Sequence, residues 1–457
     1  MSTLPNTFAN FEAAPPARPL HAGASRWPRW ALCLGLFACF FVATQDLNSP
    51  IAWRGANEGQ SAEFVARVAE GRASRQIGFL TLAAISTIAL LLPDRRSIER
   101  RLDWLVIYPL VAVVGWSVAS LLWSHDPALT VKRLVVYLAL CLAVLAVVKH
   151  FTIRDLVAAV LFYGVASYAA GAYAELSSGL GLAAGPDGFR LSGSMHPNHL
   201  GLTSGLLALA ALHRLTTSRD AAQRALLAAL IALAFVVLVL TKSRTALAAS
   251  VLAFGVMAGL RTRPAVAVGT LLLGVGALGL GFFLVEAGLL GPVWEALLMG
   301  RETSSVRTLT GRTDIWAYSL NVLLADPGRL VMGFGHDSFW NDVNTEGVTR
   351  AVGYTISEAH NAYLERLLNI GVVGLFLVLA ATFAAAWRWL ASGRTRRGRW
   401  RADAAFCLAV IVMALVHGVA ESTFAHSQFV TLVMFCCIAL AAAGPVDVPP
   451  DAVEGDE

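Results

Sequence analysis

At 457 residues, 57% hydrophobic and only 14% charged, with a mean hydropathy of +0.64, the chain is too apolar to be a soluble protein and reads as an integral membrane protein. Its net charge of +5 restates a bias of basic residues between apolar segments and is no sign of nucleic acid. The six cysteines (Cys33, Cys39, Cys141, Cys407, Cys436 and Cys437) all fall within apolar stretches, with neither a disulfide framework nor metal-ligand spacing.

A helix needs about 20 apolar residues to cross roughly 30 Å of hydrocarbon. That length predicts twelve spans, near 29–46, 77–93, 104–123, 134–148, 154–176, 199–214, 225–241, 245–260, 265–287, 361–387, 402–420 and 427–443. A Pro- and Ala-rich segment, 1–28, precedes them, and the first span lacks a small-residue cleavage site, so it reads as an uncleaved anchor. Nine spans then occupy 29–287, a long loop 288–360, three more spans 361–443, and an acidic tail 444–457. Lys242-Ser243-Arg244 would be expensive in mid-bilayer and marks a tight turn between two spans. Most of the 35 Lys and Arg fall on one side if both termini are cytoplasmic, which puts 177–198, 242–244 and 288–360 outside. The long loop exceeds a plain connector and should hold a partly helical lid, with one helix over 313–325 bounded by Gly311 and Pro327-Gly328. Trp30, Trp104, Trp123, Trp387 and Trp389 read as interfacial anchors.

Four polar clusters share the outer side. In 190–199, Arg190 points to a ligand phosphate, or the stretch is a Gly/Pro turn capped by Asn198. Lys242 and Arg244 place two charges on a short turn that needs none, which favours ligand binding. Arg312 precedes a predicted helix start, where backbone N–H groups favour anions; alternatively Thr313 or Asp314 caps the helix and Arg312 is solvated. The fourth cluster runs from Gly333 through His336 to Glu358, His360 and Asn361.

On a helix beginning near His360, positions 360, 364, 367, 371 and 374 share one face, and Gly371 and Gly374 would let a neighbouring helix approach closely. Such a stripe would hold His360 at the rim, where an imidazole of ordinary pKa near 6.5 accepts a proton at neutral pH. Glu358 and Asn361 strengthen this over a merely snorkelling histidine. His417 and His426, with Glu421 between them near the outer surface, could line the same cavity, but read in preference as satisfied by neighbouring helices. No multi-His or Asp-rich set suggests a metal, and no Walker loop or GxSxG elbow is present.

The pattern His360-Asn361, nine residues, Gly371, two residues, Gly374 resembles that of the O-antigen ligase and polymerase superfamily of bacterial envelope glycosyltransferases. The span layout, the large loop before the histidine, and Arg190, Arg244 and Arg312 are similar too. The resemblance implies an all-α, GT-C-like bundle in the bacterial inner membrane with a periplasmic active site and no cofactor. It implies transfer of a glycan from undecaprenyl pyrophosphate to a sugar hydroxyl of lipid A-core. By position, His360 would be the general base and Arg190, Arg244 and Arg312 would hold the pyrophosphate, with Lys242, His336, Glu358, Asn361, Gly371 and Gly374 in support. Within the superfamily, a polymerase or a protein O-oligosaccharyltransferase would share the donor. A transporter of lipid-linked glycan is the reading outside it, disfavoured because the polar residues crowd one face rather than mid-membrane.

Overall fold

A computed structural model describes residues 27–48, 73–92, 103–179, 189–262, 269, 312–353, 356–395 and 399–443. The expected ninth span at 265–287, the first part of the long loop, nearly all of the amino-terminal segment and the tail lie outside these residues. The described residues are helical without strands, as an all-α polytopic membrane protein requires. In chain order the helices are α1 (Trp27–Thr44), α2 (Ala73–Leu91), α3 (Trp104–Ala119), α4 (Pro127–His150), α5 (Ile153–Ser177), α6 (Pro197–Thr217) and α7 (Ala221–Leu240). There follow α8 (Arg244–Thr262), α9 (Arg312–Leu324), α10 (Pro327–Met332), α11 (Asp342–Val352), α12 (Ala362–Thr395), α13 (Arg399–His417) and α14 (Phe429–Ala442).

Among the described residues, seven helices are long and apolar enough to cross a membrane, and shorter apolar helices cover Ala31–Thr44 and Phe429–Ala442. Two expected spans, 199–214 and 402–420, appear as helices α6 and α13 but fall outside that set. The reason is position. Residues Leu200 to Ala211 of α6 are all buried among α5, α7, α8 and α13, so this helix faces protein and carries Ser, Thr, Gly and His instead of a lipid-facing surface. Helix α4 starts earlier than the expected 134, because Asp126 caps it and Pro127 sits in its first turn; Lys132 and Arg133 are therefore helical, not loop.

The tryptophans divide. Trp104 and Trp387 are exposed, as anchors should be, whereas Trp389 is buried with its indole donating to the Cys437 carbonyl (2.9 Å), and Trp123 donates to the Met332 carbonyl (3.0 Å). The side chain of Trp30 lies outside the described residues. None of the six cysteines forms a disulfide.

The long loop folds onto one end of the bundle. Helix α9 occupies the expected 313–325 stretch, and Asp326 then caps α10 with Pro327 at its start. Leu323, Phe334, Phe339 and Ala359 form a small core with Leu364 and Leu368 of α12, so the lid is packed onto the bundle.

One expectation fails instructively. The helix does not begin at His360, and no continuous stripe runs from 360 to 374. His360 has a left-handed φ of 48°, Asn361 caps, α12 starts at Ala362, and Gly371 breaks the helix with φ 67° and ψ −174°. The break frees the carbonyls of Leu368, Asn369 and Ile370. Phe334 N–H (2.8 Å), Gly335 N–H (3.0 Å) and the Trp116 indole (2.9 Å) donate to them, which ties the lid and α3 to the middle of α12. Gly371 is thus needed for backbone conformation and for close approach of the lid, since a Cβ there would lie 2.1 Å from the Val331 carbonyl oxygen.

Gly371→Ala is therefore expected to lower stability by about 2 kcal/mol or more in thermal unfolding of the detergent-solubilised protein. Gly115→Ala, on α3 with open space around it, should leave the transition unchanged or slightly raised. Equal transitions for Gly371→Ala and the parent would show that the break is dispensable.

Candidate functional site

Four chain segments meet at the end of the bundle carrying the lid: the start of α6, the start of α9, the turn before α12, and the connection from α13 to α14. Glu421, on that connection, is 2% exposed. Its Oε1 accepts from the Arg312 guanidinium and from the Asn198 side-chain amide, and its Oε2 lies 3.2 Å from His360 Nδ1. Asn198 in turn accepts from Arg190 through Oδ1, while Arg190 Nε donates to the Thr241 carbonyl (2.9 Å). Arg190, Asn198, Glu421, Arg312 and His360 form one connected network.

His360 is placed by backbone hydrogen bonds on either side. The Trp316 indole of α9 donates to the Ala359 carbonyl (2.8 Å), and Ala362 N–H donates to the carbonyls of Gly418 (2.8 Å) and Glu421 (3.1 Å). Asn361 adds a third tie, its amide donating to the Val419 carbonyl (2.9 Å) while its oxygen caps α12. The expected support from Asn361 thus operates through the backbone of the His360 turn.

Glu358 joins from the other side, with Oε1 3.3 Å from His360 Nδ1 and Oε2 3.4 Å from His426 Nε2. His360 and Glu358 keep side-chain exposures of 21% and 27% against 3% for Glu421, so the cluster opens on the His360 side. Both carboxylates address Nδ1 and so fix the ring through that nitrogen rather than through Nε2. Burial alone would lower the His360 pKa, but Glu358 and Glu421 outweigh it and raise it above the ordinary value. Burial works to raise Glu421, yet its bond to His360 and the Arg312 charge hold it far below the ordinary carboxylate range. Glu358 is lowered as well: His360 and His426 overcome its burial.

The remaining predicted residues divide. Lys242 occupies a left-handed turn (φ 50°), and Arg244 opens α8 directly after it; Thr241, one residue earlier, holds Arg190, so the two arginine-bearing segments adjoin. Arg312 is not solvated, and Asn198 is not a cap, because His196 Nδ1 accepts from the Asn198 N–H and frees the Asn198 side chain for the network. His336 is elsewhere: its ring lies 4.6 Å from that of Tyr137, and burial pushes its pKa down to about 4, against the opposing pull of Asp337. Gly371 shapes the backbone, and a Cβ at Gly374 would meet Ile370 of the same helix, not a neighbouring one.

Sequence reasoning underrated Glu421 and Asn198. The one available signal was a glutamate just past a span end between two histidines. Glu358, His360 and Glu421 also bring three ligand-type atoms within 4.8 Å of one another, a set suited to a divalent cation. Their spacing hid this, because they come from two distant loops. Arg312 and Asn198 already engage one Glu421 oxygen, and the guanidinium charge opposes a cation there.

Because Glu421 neutralises Arg312 and His360 together, Glu421→Ala should cost on the order of 3 kcal/mol in thermal unfolding. Asn361→Ala, which removes a cap, should cost about 1 kcal/mol. A Glu421→Ala loss no larger than that of Asn361→Ala would contradict the network.

Residues 229–379 match the model of a protein family described as O-antigen ligase. The match includes Lys242, Arg244, Arg312, His336, Glu358, His360, Asn361, Gly371 and Gly374, and leaves Arg190, Asn198 and Glu421 outside. A comparison with curated proteins finds no match.

Proposed function

We propose that this chain, whose residues 229–379 match the O-antigen ligase family model, moves a glycan from undecaprenyl pyrophosphate to a sugar hydroxyl of lipid A-core at the periplasmic face of the bacterial inner membrane. The observation that carries this reading is the placement of His360: Nδ1 lies on two carboxylates, Arg312 is fastened to one of them, Glu421, and Arg190 reaches the same Glu421 through Asn198.

The acceptor hydroxyl oxygen attacks the anomeric carbon while His360 Nε2 takes its proton. The bond from that carbon to the pyrophosphate oxygen breaks, and polyprenyl pyrophosphate leaves with the electron pair. One displacement inverts the anomeric centre. Pyrophosphate is already a good leaving group, so its need is charge stabilisation, which Arg190, Arg244 and Arg312 supply. A guanidinium has five N–H donors, so Arg312 keeps Glu421 while presenting others to phosphate oxygens. The Glu421 and Glu358 carboxylates stabilise the imidazolium formed during transfer. The donor chemistry is shared with polymerases of the superfamily, which use a second lipid-linked glycan as acceptor.

The test is transfer by purified protein from undecaprenyl-pyrophosphate glycan to lipid A-core or to a second lipid-linked glycan, with chelator and without nucleotide. Product on lipid A-core alone is expected; product on the second glycan alone would make the protein a polymerase. His360→Ala should lower the rate by about 10²–10⁴-fold. Because the His360 pKa is raised, its base form is lost as pH falls through that raised value, so the acid limb of kcat/KM should lie above about 6.5. Glu421→Gln removes one raising carboxylate and should move that limb to lower pH. Loss of wild-type transfer with chelator would instead assign Glu358, His360 and Glu421 to a metal.

A further inference from the structure

A second cluster of cations lines a cavity that includes His426, which adjoins the site through Glu358. The cavity, of about 370 Å³, opens between the lid-end halves of α2 and α4, and it is lined by Arg75, Lys132, Arg133 and Arg366, with His336 and His426. Asp337 is the one carboxylate in this lining, and Asn369 Nδ2 already donates to it (3.0 Å). Four permanent cations therefore face one engaged carboxylate.

Two of the lining groups are buried and short of partners. Arg366 is 4% exposed; it donates through Nη2 to the Phe424 carbonyl (2.8 Å), and its Nε has no hydrogen-bond partner among the described residues. His336 is 2% exposed, and its Nδ1 likewise has none. A buried guanidinium held by one carbonyl is costly unless an anion completes it. The cations come from separate elements (α2, α4 and α12) and converge on one space, which suits a multiply charged group of several oxygens better than a single carboxylate.

The rest of the wall is apolar. Phe79, Leu140 and Phe435 line the inner part, while Leu80, Val131 and Val135 are exposed on the outside of the bundle, where hydrocarbon chains would lie. An occupant that satisfies both parts has an anionic head and an apolar tail.

We infer that this cavity holds a phosphate group of the acceptor glycolipid, whose chains remain in the bilayer against α2 and α4. The assignment rests on the transferase reading above. Geometry selects acceptor over donor. Glu421 ties His360 to Arg312 and, through Asn198, to Arg190, whereas Glu358 ties His360 to His426, a residue of the cavity wall. The two carboxylates thus link two separate basic regions to one imidazole nitrogen, Nδ1, as a displacement with two lipid-borne substrates can use.

The test is native mass spectrometry of the full detergent-solubilised chain with phosphorylated lipid A, with its dephosphorylated form and with inorganic phosphate, beside transfer kinetics. Lys132→Ala with Arg133→Ala is the working variant, since Lys132 is exposed and Arg133 half-buried on the first turns of α4. Arg214→Ala, at the far end of α6, controls for lost charge. The double variant should bind phosphorylated lipid A roughly tenfold or more weakly and raise the acceptor KM by a similar factor. Donor KM, binding of the dephosphorylated lipid and the control variant should stay unchanged.

Unchanged lipid A affinity in the double variant, or a raised donor KM with an unchanged acceptor KM, would overturn the assignment. Inorganic phosphate binding as tightly as lipid A would also overturn it, by showing a site for the free ion. The binding arm needs no turnover. If the protein transfers nothing yet loses phosphate-dependent lipid binding in the variant, the cavity stands as a lipid-phosphate site and the transferase reading falls. If transfer is intact and acceptor binding unmoved, the cavity assignment falls alone.

Discussion

A carboxylate buried at the end of a membrane bundle must be paired, and the pairing of Glu421 fixes the geometry of the site. It is met by a guanidinium from α9, an amide from the start of α6 and an imidazole from the turn before α12. Each partner belongs to a different part of the chain, so the one residue aligns the lid, the buried central helix and the histidine turn. Remove the charge and the arginine and the imidazole lose the reason for their common position. The same pairing raises the proton affinity of His360 and fixes its ring through Nδ1.

The lid is held as firmly as the site it covers. Breaking α12 at Gly371 exposes three carbonyls inside the protein, and the Phe334-Gly335 segment and Trp116 satisfy them. A continuous helix would offer no such attachment. Gly333, with φ 76°, packs against the same break from the lid side, where a Cβ would lie 2.4 Å from the Asn369 carbonyl oxygen. The paired glycines act as a backbone joint between lid and bundle, which a stripe of small residues on a straight helix would not provide.

The sequence made the helical class, most of the spans, the α9 stretch and the gathering of Arg190, Arg312 and His360 at one end legible, because length, hydropathy and charge bias act locally. It did not reveal the role of Glu421, whose partners are Asn198, Arg312 and His360, far apart in the chain. Nor could it show that Asn198 leaves the capping role to His196, a choice made by the tertiary demand of Glu421. Lys132 and Arg133 were hidden for another reason: a hydropathy window starts α4 at its apolar part, whereas Asp126 and Pro127 start the helix a turn and more earlier. The Gly371 break is invisible to periodicity, since glycine at helical spacing looks the same whether it packs a neighbour or bends the chain.

Two basic regions connect to one histidine held by two carboxylates, one region joined through Glu421 and the other through Glu358. The most direct test of that division is a cryo-EM structure of the protein with polyprenyl pyrophosphate bound. The account predicts pyrophosphate oxygens within about 3 Å of Arg190, Arg244 or Arg312 nitrogens, with His360 Nε2 facing the donor's anomeric position. Pyrophosphate seated instead among Arg75, Lys132, Arg133 and Arg366 would contradict it.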